Sequence, residues 1–314
     1  MQITTVTNDY YKPSDQLLAA VNTALFLQRP LLLSGDPGTG KTECADFVAR
    51  QLQQAYPDKF KMGKALRFNT KSVSQSSDLF YYYDAVAHFG DKENRKKESF
   101  LSFNSLGVAL LATQDVNKDW YKFSNYENEV VNKFTGFGSV VLIDEIDKAP
   151  RDFPNDLLAE LEKPPCKFSI KELTNFEVVQ NTAKPVVVVI TSNNEKGLPD
   201  AFLRRCVFHH INFPTPEILM DIVKAKLNMD HPFFEAAIEM FLDMRNKKNI
   251  NKQPATSELI DWITCLKEKD LLNGSLQNWK NADESYRKKI AATLGIIAKT
   301  KTDFETLRKE IEGK

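Results

Sequence analysis

Residues 35–42 read Gly35-Asp36-Pro37-Gly38-Thr39-Gly40-Lys41-Thr42, and they follow the apolar run Leu31-Leu32-Leu33. The pattern G-x-x-x-x-G-K-[ST] narrows the folds open to this chain. A loop whose backbone N–H groups close around a polyphosphate has to leave a buried strand and enter a helix. The glycines let the backbone approach, Lys41 brings a point charge to the outer phosphates, and the Thr42 hydroxyl suits a Mg²⁺ ion. The flanks agree with that demand. Leu31–Leu33 is strand-like, and Cys44, Phe47, Val48 and Leu52 fall at the i, i+3, i+4, i+8 spacing of a helix packed on one side. Nucleotide binding is the first inference, and the next question is what the nucleotide drives.

The chain has 314 residues, enough for two domains. Lys+Arg and Asp+Glu both number 42, so the formal net charge is +0, which argues against a chain built mainly to coat nucleic acid. No stretch approaches the ~20 uninterrupted apolar residues of a membrane span. The start, Met1-Gln2-Ile3-Thr4-Thr5, lacks the basic-then-apolar design of a signal peptide, so a cytoplasmic protein with no membrane partner is expected. Cys44, Cys166, Cys206 and Cys265 are scattered with no C-x-x-C pair, which reads as reduced thiols rather than disulfides or zinc ligands. His209 and His210 would point to opposite faces of a strand, so a shared metal is not expected there.

Along the chain, Leu17, Leu18, Val21 and Leu25 suggest a first helix capped by Ser14 or Asp15. Ala65–Asn69 reads as a strand, residues 70–100 as a polar, tyrosine-rich stretch, and Lys92–Lys97 as a solvated charged loop. In 101–113 the second half looks helical, through Leu106, Val108, Leu110 and Leu111. Val140–Ile143 and Val186–Ile190 are continuous β-branched runs of the kind found in central strands of a parallel sheet. Between them lie a helix bearing Leu157, Leu158 and Leu161, then a hairpin with Phe168/Ile170 against Phe176/Val178 around Thr174-Asn175. After Pro214-Thr215-Pro216 only helical periodicity remains: Ile218/Ile222/Leu227, Phe233/Ala237/Phe241, Leu259/Ile260/Ile263/Leu266 and Ile290/Leu294/Ile297. The expected architecture is an α/β nucleotide-binding domain over 1–213, with a central mostly parallel sheet between helical layers, and a small all-α domain over 214–314.

Asp144-Glu145 ends the first β-branched run, and ligands in such sheets sit at the carboxyl ends of strands. Asp144 suits a Mg²⁺ held through water, and Glu145 suits the orienting and deprotonation of an attacking water. Asp147 stays open between capping the following helix and orienting Lys148. Asn193 closes the second run; it is either a turn residue or an amide that contacts a terminal phosphate or its attacking water. Arg204-Arg205 follow a short helix over 198–203. They are either surface ion-pair partners or the arginine that one subunit lends to a neighbour's phosphoryl transfer.

The order of Gly35–Thr42, Asp144-Glu145, Asn193, Arg204-Arg205 and an all-helical end resembles an AAA+ ATPase. Within that superfamily it is most similar to the MoxR group. The similarity lies in Asn155-Asp156-Leu157-Leu158-Ala159-Glu160-Leu161-Glu162, the hairpin, and Ile190-Thr191-Ser192-Asn193 followed by Leu198-Pro199-Asp200-Ala201-Phe202-Leu203-Arg204-Arg205. It spans roughly 12–230. The resemblance implies that Lys41 and Thr42 are the Walker A pair, Asp144 and Glu145 the Walker B pair, Asn193 sensor 1, and Arg205 the trans-acting finger with Arg204 as neighbour or substitute. It further implies ATP and Mg²⁺ as cofactors and a homo-oligomeric, hexameric ring. The implied partners are a protein client to be remodelled or matured and a von Willebrand A domain protein. One departure stands out. The stretch Gln253–Leu259, where a sensor-2 arginine belongs, has none, and Lys252 is the nearest cation.

Three functions are compatible with these residues. The first is a ring-forming ATPase that remodels a client. The second is an ATP-switched scaffold of a defence or signalling system, kept open by the missing arginine. The third, a nucleic-acid motor or loader, has only Arg245-Asn246-Lys247-Lys248 and residues 92–97 as basic clusters.

Overall fold

The computed structural model describes residues 1–4, 11–93, 95–114, 135–161, 164–174, 176–193 and 197–313. Thr5, Asn94, Glu162 and Asn175, which enter the sequence reading above, lie outside the described residues. Two compact units are present, Met1–Gly35 with Gly40–Ile211, and Asp36–Thr39 with Asn212–Lys314.

The first unit is built on strands β1 (Leu31–Gly35), β2 (Leu66–Asn69), β5 (Ser139–Asp144), β8 (Val186–Ser192) and β9 (Val207–Ile211). They form one sheet in the order β2-β5-β8-β1-β9, with every neighbouring pair parallel. Side chains on a strand alternate between faces, so a continuous apolar run has to meet a hydrophobic layer on each side. That is what the three central strands do. Leu31, Leu33, Val140, Leu142 and Val189 join one core, with α1 (Asp15–Leu27) and α2 (Lys41–Ala55). Leu32, Val141, Ile143, Val188 and Ile190 join the other, which includes Leu106–Leu111 of α4 (Ser105–Ala112) and Leu157 of α5 (Phe153–Leu161). The result is a three-layer α/β arrangement, as the runs predict, followed by a helical C-terminal region. Ser14 caps α1 as expected, its Oγ accepting the Leu17 N–H at 3.2 Å.

The stretch 70–100 carries more order than its polarity suggests. Strands β3 (Tyr81–Tyr83) and β4 (Leu101–Phe103) pair antiparallel around a short helix α3 (Ala85–Phe89). Alternation explains the tyrosines: Tyr81 packs 6.4 Å from the Phe168 ring in the core, whereas Tyr82 faces outward and is 57% exposed. Arg95, in the charged run, pairs with Asp91 at 3.1 Å and lies over the Phe100 ring at 5.1 Å. The predicted hairpin is present as β6 (Lys167–Ser169) against β7 (Glu177–Val179), with Phe168 opposite Val178. Both of those side chains are buried.

The second unit is helical over 212–313, with α7 (Pro216–Leu227), α8 (Phe234–Arg245), α9 (Thr256–Glu268), α10 (Glu284–Ala291) and α11 (Lys301–Glu312). Its core is centred on Trp262, Ile263, Phe241 and Leu294. Two details differ from the periodicity. On α7 the fully buried pair is Leu219 and Val223, one residue beyond Ile218 and Ile222, which are half-buried. The Ile290/Leu294/Ile297 pattern is not one helix, because α10 stops at Ala291 and Leu294–Ile296 is a separate 3₁₀ turn. The Thr293 hydroxyl donates to Ile290 O at 2.7 Å and accepts from Trp262 Nε1 at 2.8 Å. A side chain bonding its own backbone in this way competes with helix propagation.

Leu142 is fully buried in the centre of β5. Leu142→Ala is expected to cost about 2–5 kcal/mol of stability, read as a fall in the denaturant midpoint followed by circular dichroism. A change below ~0.5 kcal/mol, the range of an ordinary surface substitution, would contradict the central placement of this strand.

Candidate functional site

β1 hands the chain to α2 through the loop Gly35–Thr42. Gly38 and Gly40 have φ of +73° and +85°, a backbone region that L side chains rarely adopt, so both positions favour glycine. A Cβ on Gly40 would also sit 3.1 Å from the Tyr11 ring. Helix α2 starts at Lys41, and its first N–H groups have no acceptor within the helix. Such a helix start after a glycine loop is a ready anion site. Lys41 is 6% exposed and donates from Nζ to Gly35 O at 2.7 Å. Its ammonium is thus buried beside the loop's own backbone.

The other half of the site comes from the carboxyl ends of β5 and β8. Thr42 Oγ1 lies 3.2 and 3.3 Å from the two Asp144 carboxylate oxygens, so a hydroxyl and a carboxylate 102 residues apart in sequence face each other. Both are hard oxygen donors, the kind Mg²⁺ takes. The Thr42 hydroxyl and the Asp144 carboxylate therefore fit a Mg²⁺ ion, and the helix start at Lys41 fits a phosphate. Glu145, at φ 55°, breaks out of the strand into a left-handed conformation that is uncommon for a side-chain-bearing residue. From there its Oε1 accepts the Asn193 Nδ2–H at 3.1 Å and its Oε2 accepts from Lys148 Nζ. Backbone strain of this kind persists only where surrounding contacts over-determine it.

Sequence reasoning missed the residue that ties the two strand ends together. Thr191, fully buried on β8, donates its hydroxyl to Asp144 Oδ1 at 2.5 Å and accepts the Glu145 N–H at 2.8 Å. The available signal was a hydroxyl residue directly after a run of valines and isoleucine, at a depth where an unpaired polar group is costly. The buried Asp147 carboxylate accepts the Asn193 backbone N–H at 3.2 and 3.3 Å. Arg204 and Arg205 are exposed after α6 (Asp200–Leu203), and Arg205 Nη1 donates to Ala201 O at 3.1 Å. They are not brought to Glu145 within this unit by any described contact.

Within the second unit, Asp36 Oδ2 pairs with Arg245 Nη2 at 2.8 Å. Arg245 is 4% exposed, donates from Nη1 to Pro254 O, and lies over the Phe213 ring at 3.7 Å. Burial lowers its pKa from the usual arginine range, against the raising effect of Asp36. Thr39 Oγ1 donates to Asp36 O at 2.8 Å, and a Cβ on Gly38 would come 2.7 Å from that of Ala255. Pro37 is exposed. Lys252, the sensor-2 candidate, is exposed, and its backbone N–H donates to Asp303 at 3.1 Å. The arginine that the sequence reading grouped with a basic surface run is thus a buried partner of the loop's own aspartate.

The Thr191 bridge yields a stability test. Thr191→Val keeps the shape but leaves the Glu145 N–H without its acceptor, which is expected to cost about 1–3 kcal/mol in equilibrium unfolding. Thr191→Ser should recover most of it. Equal stability of the valine and serine variants would remove the bridge from its role.

The same elements permit comparison with known proteins. Residues 31–215, more than half of the chain, match the family model described as AAA, the ATPase family associated with various cellular activities. No curated protein matches the chain. The matched stretch opens on the first residue of β1 and closes just beyond β9, so it holds the whole sheet, the glycine loop, Asp144, Glu145, Thr191, Asn193, Arg204 and Arg205. The chain belongs to the AAA family of ATPases.

Proposed function

We propose that this chain hydrolyses ATP to ADP and phosphate with Mg²⁺, works as a ring of subunits, and uses turnover to remodel or mature a protein client. The observation that carries the hydrolase reading is the 3.1 Å contact of the Asn193 amide with the Glu145 carboxylate, next to the facing pair Thr42 and Asp144. A carboxylate held by a neutral amide beside a phosphate loop is what water activation requires.

In this reading Gly35, Asp36, Pro37, Gly38, Thr39 and Gly40 form the phosphate cradle, and Lys41 turns from Gly35 O to the outer phosphates. Thr42 and Asp144 hold Mg²⁺, Asp144 through water. When bound, Mg²⁺ supplies positive charge against the phosphate oxygens. Glu145 orients the attacking water and takes its proton, while Asn193 fixes Glu145 and contacts the terminal phosphate. Arg205, with Arg204 beside it, reaches a phosphate held by the next subunit; their exposure supports a role outside their own unit.

The ring, with six subunits as the expected number, the MoxR grouping, the protein client and a von Willebrand A domain partner rest on the ordered motifs over 12–230. The division into a nucleotide-binding part over 1–213 and a helical lid over 214–314, and a cytoplasmic setting, belong to the same proposal. A nucleic-acid motor is the weaker reading. Of the basic run 245–248, Arg245 is engaged by Asp36, and Lys247 pairs with Glu310 at 2.7 Å.

Lys41→Ala is expected to abolish binding of a fluorescent ATP analogue. Glu145→Gln should keep binding and lose hydrolysis, so that ATP stays intact on the protein. Arg205→Ala should bind ATP normally and lose about 10³-fold or more in turnover. Hydrolysis by Arg205→Ala at the parent rate would sink the finger assignment. Mass measurement with and without ATP tests the ring. Slow parent turnover that no partner changes would favour an ATP-switched scaffold instead.

A further inference from the structure

Lys148 stands where it can act on Glu145, and the function above gives it nothing to do. Residues Ile146–Lys148 form a 3₁₀ turn that begins from Glu145, with the Lys148 N–H donating to Glu145 O at 2.9 Å. In a 3₁₀ turn, side chains at i and i+3 eclipse one another. Glu145 itself is left-handed and precedes that turn, yet the i, i+3 spacing still brings the Lys148 ammonium to its carboxylate, and Nζ donates to Oε2. The turn is pinned from inside. Asp147, 2% exposed, accepts the Asn193 backbone N–H, and Ile146 is fully buried. Lys148 reaches the carboxylate from this fixed base.

Resting on the reading of Glu145 as the base, we propose that Lys148 is a restraining residue. It holds Glu145 in a resting position and limits turnover until its ammonium is drawn away. The two carboxylate oxygens have different partners. Oε1 receives a neutral amide from Asn193, which leaves the group oriented. Oε2 receives a cation, and a charge-assisted bond of this kind is roughly twice as strong as a neutral one. A water that has to hand its proton to Glu145 competes with that ammonium for the same oxygen. The restraint is weak by construction. The Lys148 and Glu145 side chains are 44% and 38% exposed, and ion pairs in that setting contribute little. A weak pair suits a device that has to be undone in each cycle, because any better anionic partner for Lys148 releases the base. Lys148 acts through Glu145 and touches no reacting atom, so it is a positioning residue.

The test uses the full chain. Lys148→Met is expected to raise kcat by about two- to fivefold, the range open to an exposed ion pair, with KM for ATP unchanged within a factor of two. Lys148→Arg, which keeps charge and reach, should stay near the parent. A second measurement does not depend on turnover. Lysines are reductively ¹³C-methylated in nucleotide-free protein, and the Lys148 signal is assigned by its loss in Lys148→Arg. It should shift between the parent and Glu145→Gln. The proposal is overturned if Lys148→Met lowers kcat or leaves it unchanged while Glu145→Gln is inactive, or if the methyl signal ignores Glu145→Gln. If Glu145→Gln hydrolyses ATP at the parent rate, the base assignment itself is wrong and the restraint falls with it.

Discussion

The pairing of β5 with β8 is the interaction on which the site depends. Val140 to Ile143 lie opposite Val187 to Ile190 in unbroken parallel register, and the chains emerge together at Asp144-Glu145 and Thr191-Ser192-Asn193. A slip of one residue would turn every side chain to the other face. Leu142 would leave its core, and Asp144 would lose both Thr42 and Thr191. Because both faces are buried in separate hydrophobic layers, such a slip is opposed by the whole set of central apolar residues. The polar ends thus inherit their geometry from the apolar middle.

Much of this could be read from the residues alone. A continuous β-branched run has few alternatives to a doubly covered strand, so Val140–Ile143 and Val186–Ile190 announced the sheet, and Gly35–Thr42 announced the strand-to-helix crossing. What remained hidden was anything decided by contacts across the chain. Thr191 reads as one more strand residue until Asp144 and the Glu145 N–H are brought to its hydroxyl. Arg245 reads as the head of a basic run until burial against Phe213 and pairing with Asp36 show it to be interior. Tyr81-Tyr82-Tyr83 reads only as part of a polar, tyrosine-rich stretch because period-two alternation over three residues of one type leaves no pattern to see. Ile218/Ile222 and Leu219/Val223 make equally good apolar stripes about 100° apart, and only packing selects between them.

The chain's balance of charge conceals a strongly uneven local one. Around the strand ends, the carboxylates Asp144, Glu145 and Asp147 lie within a few residues of one another, and each is met by donors: Thr42 and Thr191, Asn193 and Lys148, and the Asn193 backbone. Adjacent carboxylates repel, and they are tolerated together where their environments and donors differ. Here they do differ, since Asp147 is sealed in the interior while Asp144 and Glu145 keep partial access to solvent. Three acids within four residues thus sit in three separate environments.

The hydroxyl of Thr191 has a consequence for how this protein can change. It is anchored in the stiffest layer of the fold, yet its two bonds set the first atoms of the candidate reaction centre. Only a serine offers the same donor and acceptor, and serine surrenders the methyl that fills the strand's interior. Substitutions that tune the chemistry at this corner thus also tune the sheet, and the two properties have to drift together.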